Sequence, residues 1–453
     1  MSFFKAYDMR GTFGVDFNVE DIYKIARAMP ECLGAKRWLV GRDCRTTSAE
    51  IRDTLVSGLV DSGCAVVDIG RVTTPMVYHF TAEGDFAASV MITASHNPPS
   101  DNGMKVSKAG AMPVGYANGL CDIEKMIADP AFCERIKDRH SVVPGGSSLK
   151  DVGYGFSYLE WHKSKVSPKE YESLSFAVDC SNGMASPYAH AFFPRAEIIN
   201  DTMDGTFPCH SPNPLKAEAR EQLAKLVREK GLDCGVVFDG DADRAMFVDG
   251  EGEFIQPDYL IPVVYAAMNA HGGRVLHDVR TSRGAIKELE RLGAEPVMVP
   301  VGHAFAKPAM REYSAVCGGE LAGHYYFSDF HCCDSGFLSA TRILKEFAKA
   351  KAKGMSVREF MRPIVSQWVN SGEINFKVED KDAAIARIIK CASSFAPERS
   401  RSEIDGIRIE FDEGWLNVRK SNTEPYLRIV AECDTKSRLD SWLASIRSAA
   451  SNL

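Results

Sequence analysis

Short apolar runs alternating with amphipathic stretches constrain this chain more than any other feature. Residues 37–45 read as a strand, 49–62 as a helix with Ile51, Leu55 and Leu59 on one face at i, i+4 and i+8, and 64–69 as the next strand. A further run, 88–94, leads into Ser95. The pattern returns with strands at 176–180, 196–200 and 235–238 and a helix at 216–230. It returns again with strands at 274–280, 295–301 and 315–319 and a long helix over 335–353 that stops at Lys353-Gly354. Periods of 2 and 3.6 interleaved in this way build α/β layers. From about 373 the order changes to strand, helix, three close strands, helix, which implies a small α+β unit with an antiparallel sheet. The Pro-Gly-Gly-Ser-Ser stretch at 144–148 reads as a linker. At roughly 150 residues per domain, 453 residues suit three or four domains.

Composition narrows the function. With 45% hydrophobic and 25% charged residues the chain reads as an ordinary globular protein. A net charge of −7, from 54 basic and 61 acidic side chains, argues against a general binder of nucleic acid or anionic membrane. No apolar run approaches the ~20 residues that span a bilayer, and the N-terminus lacks a signal-peptide core. Phe3 and Phe4 are expected to join the first strand. The 13 cysteines are scattered, with no C-x-x-C pair, which suits a reducing cytoplasm and offers no cysteine zinc site; adjacent Cys332 and Cys333 read as packing residues.

Chemistry concentrates in a few polar loops. Thr93-Ala94-Ser95-His96-Asn97-Pro98-Pro99 follows an apolar run, with Lys105 ten residues beyond the serine. A hydroxyl with a histidine beside it and a lysine within reach suits phosphoryl transfer, although Ser, Asn and Pro also make ordinary turns. Asp239, Asp241 and Asp243 recur at i, i+2, i+4 after the run Val236-Val237-Phe238. Extended residues at that spacing point one way, and oxygen-only ligands suit a hard divalent ion, Mg²⁺ first. An EF-hand is excluded, because its sixth position would be Arg244 and its twelfth Gly250. An apolar strand followed by Asp-x-Asp also fits a dehalogenase-type phosphotransferase, with Asp239 as nucleophile and Asp241 as acid/base. Arg419, Ser421, Asn422, Thr423 and Arg428 offer the donors a phosphate dianion needs, or else a polar hairpin. Glu320 and His324 sit in a glycine-rich loop that could read sugar hydroxyls. His303, after Gly302, reads equally as a helix cap.

Taken together, these motifs resemble the α-D-phosphohexomutase superfamily, in particular its bacterial phosphomannomutase/phosphoglucomutase branch. Tyr7-Asp8-Met9-Arg10-Gly11 is similar to that family's N-terminal motif. Thr93 to Pro98 resembles its phosphoserine loop, Asp239 to Arg244 its metal loop, Gly319 to His324 its sugar loop, and Arg419 to Pro425 its phosphate loop. The resemblance implies three αβα domains with mixed sheets plus a smaller C-terminal α+β domain around a central cleft. The units would be residues 1–147 bearing the phosphoserine, 148–252 bearing the metal, 253–365 reading the sugar and 366–453 holding phosphate. Ser95 would carry the phosphoryl group and, with Asp239, Asp241 and Asp243, hold Mg²⁺. Arg10, Lys105 and Arg244 would surround the transferring group, with His303 and His324 near the reacting hydroxyl. Glu320 would read the sugar hydroxyls and Arg280 would bind substrate, while Tyr7, Arg419, Ser421, Asn422, Thr423 and Arg428 would hold the phosphate that is not reacting.

The implied reaction interconverts hexose 1-phosphate and hexose 6-phosphate, of mannose and/or glucose, through phosphoserine and a hexose 1,6-bisphosphate. That bisphosphate would also be the activator. The partners would be hexose phosphates, with no nucleic acid or membrane, and the protein would be a monomer or small homo-oligomer. Two departures touch substrate handling: Ala322 stands where this branch often has Ser, and Arg280 where Lys is common. Ser421-Asn422-Thr423 favours the mannose/glucose branch over a phosphoglucosamine mutase, which usually carries Gly in the middle. A non-catalytic sugar-phosphate-binding relative is the reading from another functional class.

Overall fold

A computed structural model describes residues 3–137, 154–421 and 426–451. The linker reading at 144–148, the boundary at 147/148, and Asn422 and Thr423 lie outside the described residues.

Three sheets share one plan, which the letters of the sequence do not reveal. In each, the strand order is second, first, third, fourth, with the first three parallel and the fourth antiparallel to the third. In the first unit these are Ala65–Arg71, Arg37–Arg42, Ala88–Ile92 and Asp101–Lys108. In the second they are Glu197–Ile199, Phe176–Asp179, Cys234–Phe238 and Ala245–Asp249. In the third they are Glu295–Val299, Arg274–Asp278, Cys317–Gly319 and Tyr325–Phe327. Further antiparallel strands extend each sheet beyond its fourth strand, including Met9–Thr12 on Asp101–Lys108. Phe3 and Phe4 stop short of that strand, although Phe4 bridges to Met9, and both pack into the core of the first unit.

The central apolar runs are buried on both faces, as strands between helical layers must be, whereas the edge strands Glu197–Ile199 and Glu295–Val299 are partly exposed. Val236, Phe238 and Phe247 face one cluster, while Val237, Met246 and Val248, one residue out of phase, face another. The first of these clusters is continuous through the first three units. It takes in Tyr78 and Met91, then Phe193 and Phe238, then Phe337 and Phe347 of the helix Gly336–Ala352. These three units therefore pack as one body. The fourth unit has its own core, in which Ile388 and Trp442 of helices Lys381–Ala392 and Lys436–Ser451 cover Leu416, Val418 and Ile429. It meets the third through a small patch of Leu321, Trp415 and Val430 and through polar contacts. Arg408 donates to the carbonyls of Val279 and Thr281 at 2.6 and 3.1 Å, and Arg283 pairs with Glu410 at 2.6 Å.

The tail sheet is antiparallel throughout, as its close strand spacing implies, but it holds two strands more than the sequence suggests. Val369–Asn370 and Ser400–Ser402 are edge strands too short and too polar to carry a periodic signal. Among the described residues no helix is long and apolar enough to cross a membrane.

Candidate active site

The shared plan brings the chemistry together. In each α/β unit the loop joining the third strand to the antiparallel fourth carries the polar motif: residues 93–100, 239–244 and 320–324. The corresponding hairpin of the tail joins Gly414–Lys420 to Tyr426–Cys433.

Ser95 lies three residues beyond its strand, in a left-handed turn at φ 52. A non-glycine residue there is strained and must be held by its surroundings. Arg45 holds it. Its buried guanidinium donates to four carbonyls of the loop, Ser95 at 2.8, Asn97 at 2.7, Pro98 at 2.6 and Asp101 at 2.8 Å, and pairs with Asp43 at 3.2 Å. The Ser95 backbone N–H donates to Thr93 Oγ1 at 2.8 Å. Ser95 Oγ donates to Asp239 Oδ2 at 2.8 Å and lies 3.4 Å from His96 Nδ1. Close approach of the two loops needs Gly240, because a Cβ there would lie 2.6 Å from the Ser95 carbonyl oxygen.

The three aspartates do not converge by alternation along a strand. The strand ends at Phe238, and the loop turns back through Ala242 at φ 58, so the carboxylates meet in a tight turn. Their oxygens lie within 4.8 Å of one another, and all three side chains are buried. Lys105 Nζ lies 2.7 Å from Asp241 and 2.6 Å from Asp243. Arg244 Nε lies 3.6 Å from Asp239 and 3.8 Å from Asp243. Thr74, at the start of helix Thr74–Glu83, donates its hydroxyl to Asp241 at 2.5 Å. Arg10 reaches Asp8 at 2.5 and Asn97 at 2.9 Å.

Burial, with Asp243 and Asp241 nearby, pushes Asp239 well above the ordinary carboxylate range. Burial acts on Asp241 too, but Lys105 and Thr74 outweigh it and hold that carboxyl low. The same ion pairs outweigh burial at Lys105 and hold its ammonium above the usual lysine range, so Lys105 is a cation in this arrangement. Asp241 Oδ1 and Asp243 Oδ1 are buried with no hydrogen-bond partner among the described residues. Orphaned, converging carboxylate oxygens of this kind fit a hard divalent cation.

The third unit adds His324, whose Nδ1 lies 2.6 Å from Asp334 and 3.7 Å from Asp243. Buried Lys307 pairs with the same Asp334 at 2.8 Å and lies over the Tyr78 ring. His303 opens helix His303–Glu312, with its ring 6.2 Å from that of His324 and 6.3 Å from that of Tyr7. Burial, then Lys307 and Lys105, push it well below the ordinary histidine range, and its Nδ1 has no hydrogen-bond partner among the described residues. Tyr7 donates to the Val301 carbonyl at 3.0 Å. Glu320 accepts from Gly302 N–H at 3.1 Å and from the Tyr326 hydroxyl.

Beyond Glu320 the site turns basic. Arg280, paired with Asp278 at 2.6 Å, lies 3.8 Å from Glu320 and 3.1 Å from Glu373. Arg419 and Arg428 reach the same Glu373 at 2.9 and 3.3 Å. Burial would raise Glu373, but the three guanidinium groups outweigh it and hold its carboxyl down at about 2. Ser421 opens the tail hairpin, its N–H donating to the Tyr426 carbonyl at 2.9 Å.

Arg45, Lys307, Asp334 and Glu373 have no part in the sequence reading. For Arg45 a signal exists, since it lies three residues past the parallel strand Arg37–Arg42, at the end where α/β sheets bind ligands. Asp334 looks like part of a helix start, and Glu373 follows an unremarkable Ser-Gly.

Four family models cover the chain: the phosphoglucomutase/phosphomannomutase α/β/α domain I matches residues 1–131, domain II 156–252, domain III 256–366 and the C-terminal domain 373–449. A phosphomannomutase of Salmonella montevideo is 34% identical over 441 residues, which span 95% of this chain and 94% of that one. The chain belongs to the phosphoglucomutase/phosphomannomutase family. A relative from Xanthomonas campestris pv. campestris strain B100, described as phosphohexose mutases, is 35% identical over 95% of this chain and 94% of its own. A solved phosphoglucomutase/phosphomannomutase family protein of Burkholderia thailandensis superposes with TM-score 0.84 at 26% identity, over 99% of this chain and 96% of that one. As a member of this family the chain is a phosphohexomutase, an enzyme of phosphoryl transfer.

Proposed function

We propose that the chain moves a phosphoryl group between O1 and O6 of mannose or glucose phosphates, with Ser95 as carrier. One observation carries this reading. Ser95 Oγ, on a strained and clamped turn, lies 2.8 Å from Asp239 at the edge of a buried cluster of three carboxylates, in which Lys105 and Arg244 are the paired cations.

Phosphorylated Ser95 would donate to the free hydroxyl of a hexose 1-phosphate. The phosphorus–Oγ bond breaks as the bond to O6 forms. His303, neutral and with an open Nδ1, takes the hydroxyl proton, while the Lys105 ammonium gives one to the departing Ser95 Oγ, so the step leaves the proton count of the site unchanged. The resulting 1,6-bisphosphate turns over in the site, and its other phosphoryl group returns to Ser95. Arg10, Lys105 and Arg244 hold the transferring group, and Glu320 orients the sugar hydroxyls. Arg280, Arg419 and Arg428, with Ser421, Asn422 and Thr423, hold the second phosphate. Asp239, Asp241 and Asp243 would hold Mg²⁺, which when bound supplies charge neutralisation at the phosphoryl oxygens. Units with the boundaries 147, 252 and 365 then divide these roles. A fourth unit joined by a largely polar seam can open and close over the substrate.

³¹P NMR with Mg²⁺, a trace of hexose 1,6-bisphosphate, and mannose, glucose or glucosamine 1-phosphate in separate tubes tests this. Conversion of mannose or glucose 1-phosphate, with glucosamine slow, is expected. Conversion of glucosamine alone would move the substrate to amino sugars, and no conversion in any tube would leave only sugar-phosphate binding. Chelation of the cation is expected to stop turnover.

A further inference from the structure

Away from the active centre, His79, Glu83 and His331 bring three ligand atoms within 4.8 Å of one another. His79 and Glu83 stand at i and i+4 on helix Thr74–Glu83 of the first unit, so both side chains share one face. His331 comes from the loop after Tyr325–Phe327 in the third unit. Its Nε2 lies 3.4 Å from His79 Nδ1 and 3.4 Å from Glu83 Oε1.

Those distances are long for hydrogen bonds, and a single ring nitrogen cannot serve both contacts well with one proton. They match another geometry. Zinc–nitrogen and zinc–oxygen bonds of about 2.0–2.2 Å set the edge of a ligand tetrahedron at roughly 3.3–3.6 Å. His331 and Cys332 are both left-handed, at φ 54 and 58, and two adjacent non-glycine residues in that region mark a backbone held under constraint. The turn is fixed from behind by Arg311, which donates to the His331 carbonyl at 2.6 Å. His79 is buried against Trp161, Tyr158 and Phe330, which fixes its ring, whereas Glu83 is 57% exposed and free to adjust.

We infer that His79, Glu83 and His331 form a binding site for a divalent transition metal, of the zinc class, that clips the first unit to the third. Two imidazoles and one carboxylate suit Zn²⁺ or Co²⁺ rather than Mg²⁺, leaving a fourth position open to water. The set is distinct from the three aspartates, and reading the cysteines alone cannot find it.

The test uses chelator-stripped, full-length protein in excess Mg²⁺, titrated with Co²⁺ and followed by visible absorption. One equivalent with the intense bands of four-coordinate Co²⁺, displaced by Zn²⁺, is expected, together with a rise in Tm on adding Zn²⁺. His331→Asn keeps a residue that tolerates the left-handed turn, and Glu83→Gln alters an exposed side chain. Each is expected to fold as wild type by circular dichroism and to weaken Co²⁺ binding by about tenfold or more. Absence of the four-coordinate bands, or bands that survive both substitutions, would overturn the site.

Discussion

At Ser95 the hydroxyl's position depends on a side chain fifty residues earlier. Arg45 ties four loop carbonyls together and shares a buried pair with Asp43. Arg45→Ala would leave Asp43 without its cation and is expected to cost about 3–5 kcal/mol in urea unfolding. Arg45→Lys keeps the charge but not the fork of donors, and its turnover should stay low after part of the stability returns. Ser95→Ala is expected to fold normally, to lose more than about a thousandfold in kcat, and to take up no acid-stable phosphate from hexose bisphosphate. Turnover within about twofold of wild type would remove Ser95 from its role. Ser95 and the aspartates were readable because their neighbours in sequence are also their neighbours in chemistry. Arg45 and Glu373 were not, since each acts across the fold on groups whose approach no local pattern records.

At the scale of elements, the periodic segments could be read and the turns between them could not. Strands such as Cys234–Phe238 alternate between two cores and announce themselves. Expecting extended residues to aim three carboxylates one way overlooked the left-handed Ala242, which sets their convergence. The repeated strand order stayed hidden for a related reason: a common topology constrains which positions are apolar, not which letters fill them. The contact between loops gives a direct test. Gly240→Ala places a Cβ against the Ser95 carbonyl, so the loops must part. Turnover is expected to fall about a hundredfold with the circular dichroism spectrum unchanged. Wild-type kcat would mean that the two loops need not touch during the reaction.

Across the whole molecule, charge at the seam between the third and fourth units is the feature to probe. Glu373 lies among Arg280, Arg419 and Arg428, where an anionic ligand would compete with it. Glu373→Gln is expected to bind hexose 6-phosphate several-fold more tightly by calorimetry; weaker binding would mean that the carboxylate instead organises the guanidiniums. Nearby, Asp258 accepts from the Ser282 N–H at 2.9 Å. Burial, with Glu432 and Asp278 close by, pushes it up to about 7 from 3.8. The folded carboxyl keeps its proton in a range where the unfolded chain has lost it, so this group lowers stability as pH rises from about 4 to about 7, by an order of 4 kcal/mol, and adds nothing further above that. Asp258→Asn should therefore lose less Tm than wild type over that interval in scanning calorimetry, and an identical loss would place the pH sensitivity elsewhere.

The placement of each polar loop at the same connection of its own sheet has a consequence for how the enzyme can be divided. A fragment holding the first sheet alone would present a serine with no carboxylates opposite it, and one holding the second would gather carboxylates with no serine to face. With the roles proposed for these residues, neither fragment would be a slow enzyme, because neither would transfer a phosphoryl group at all. Because one core runs through the first three units, activity would belong to the joined units and not to any fragment that holds one of them.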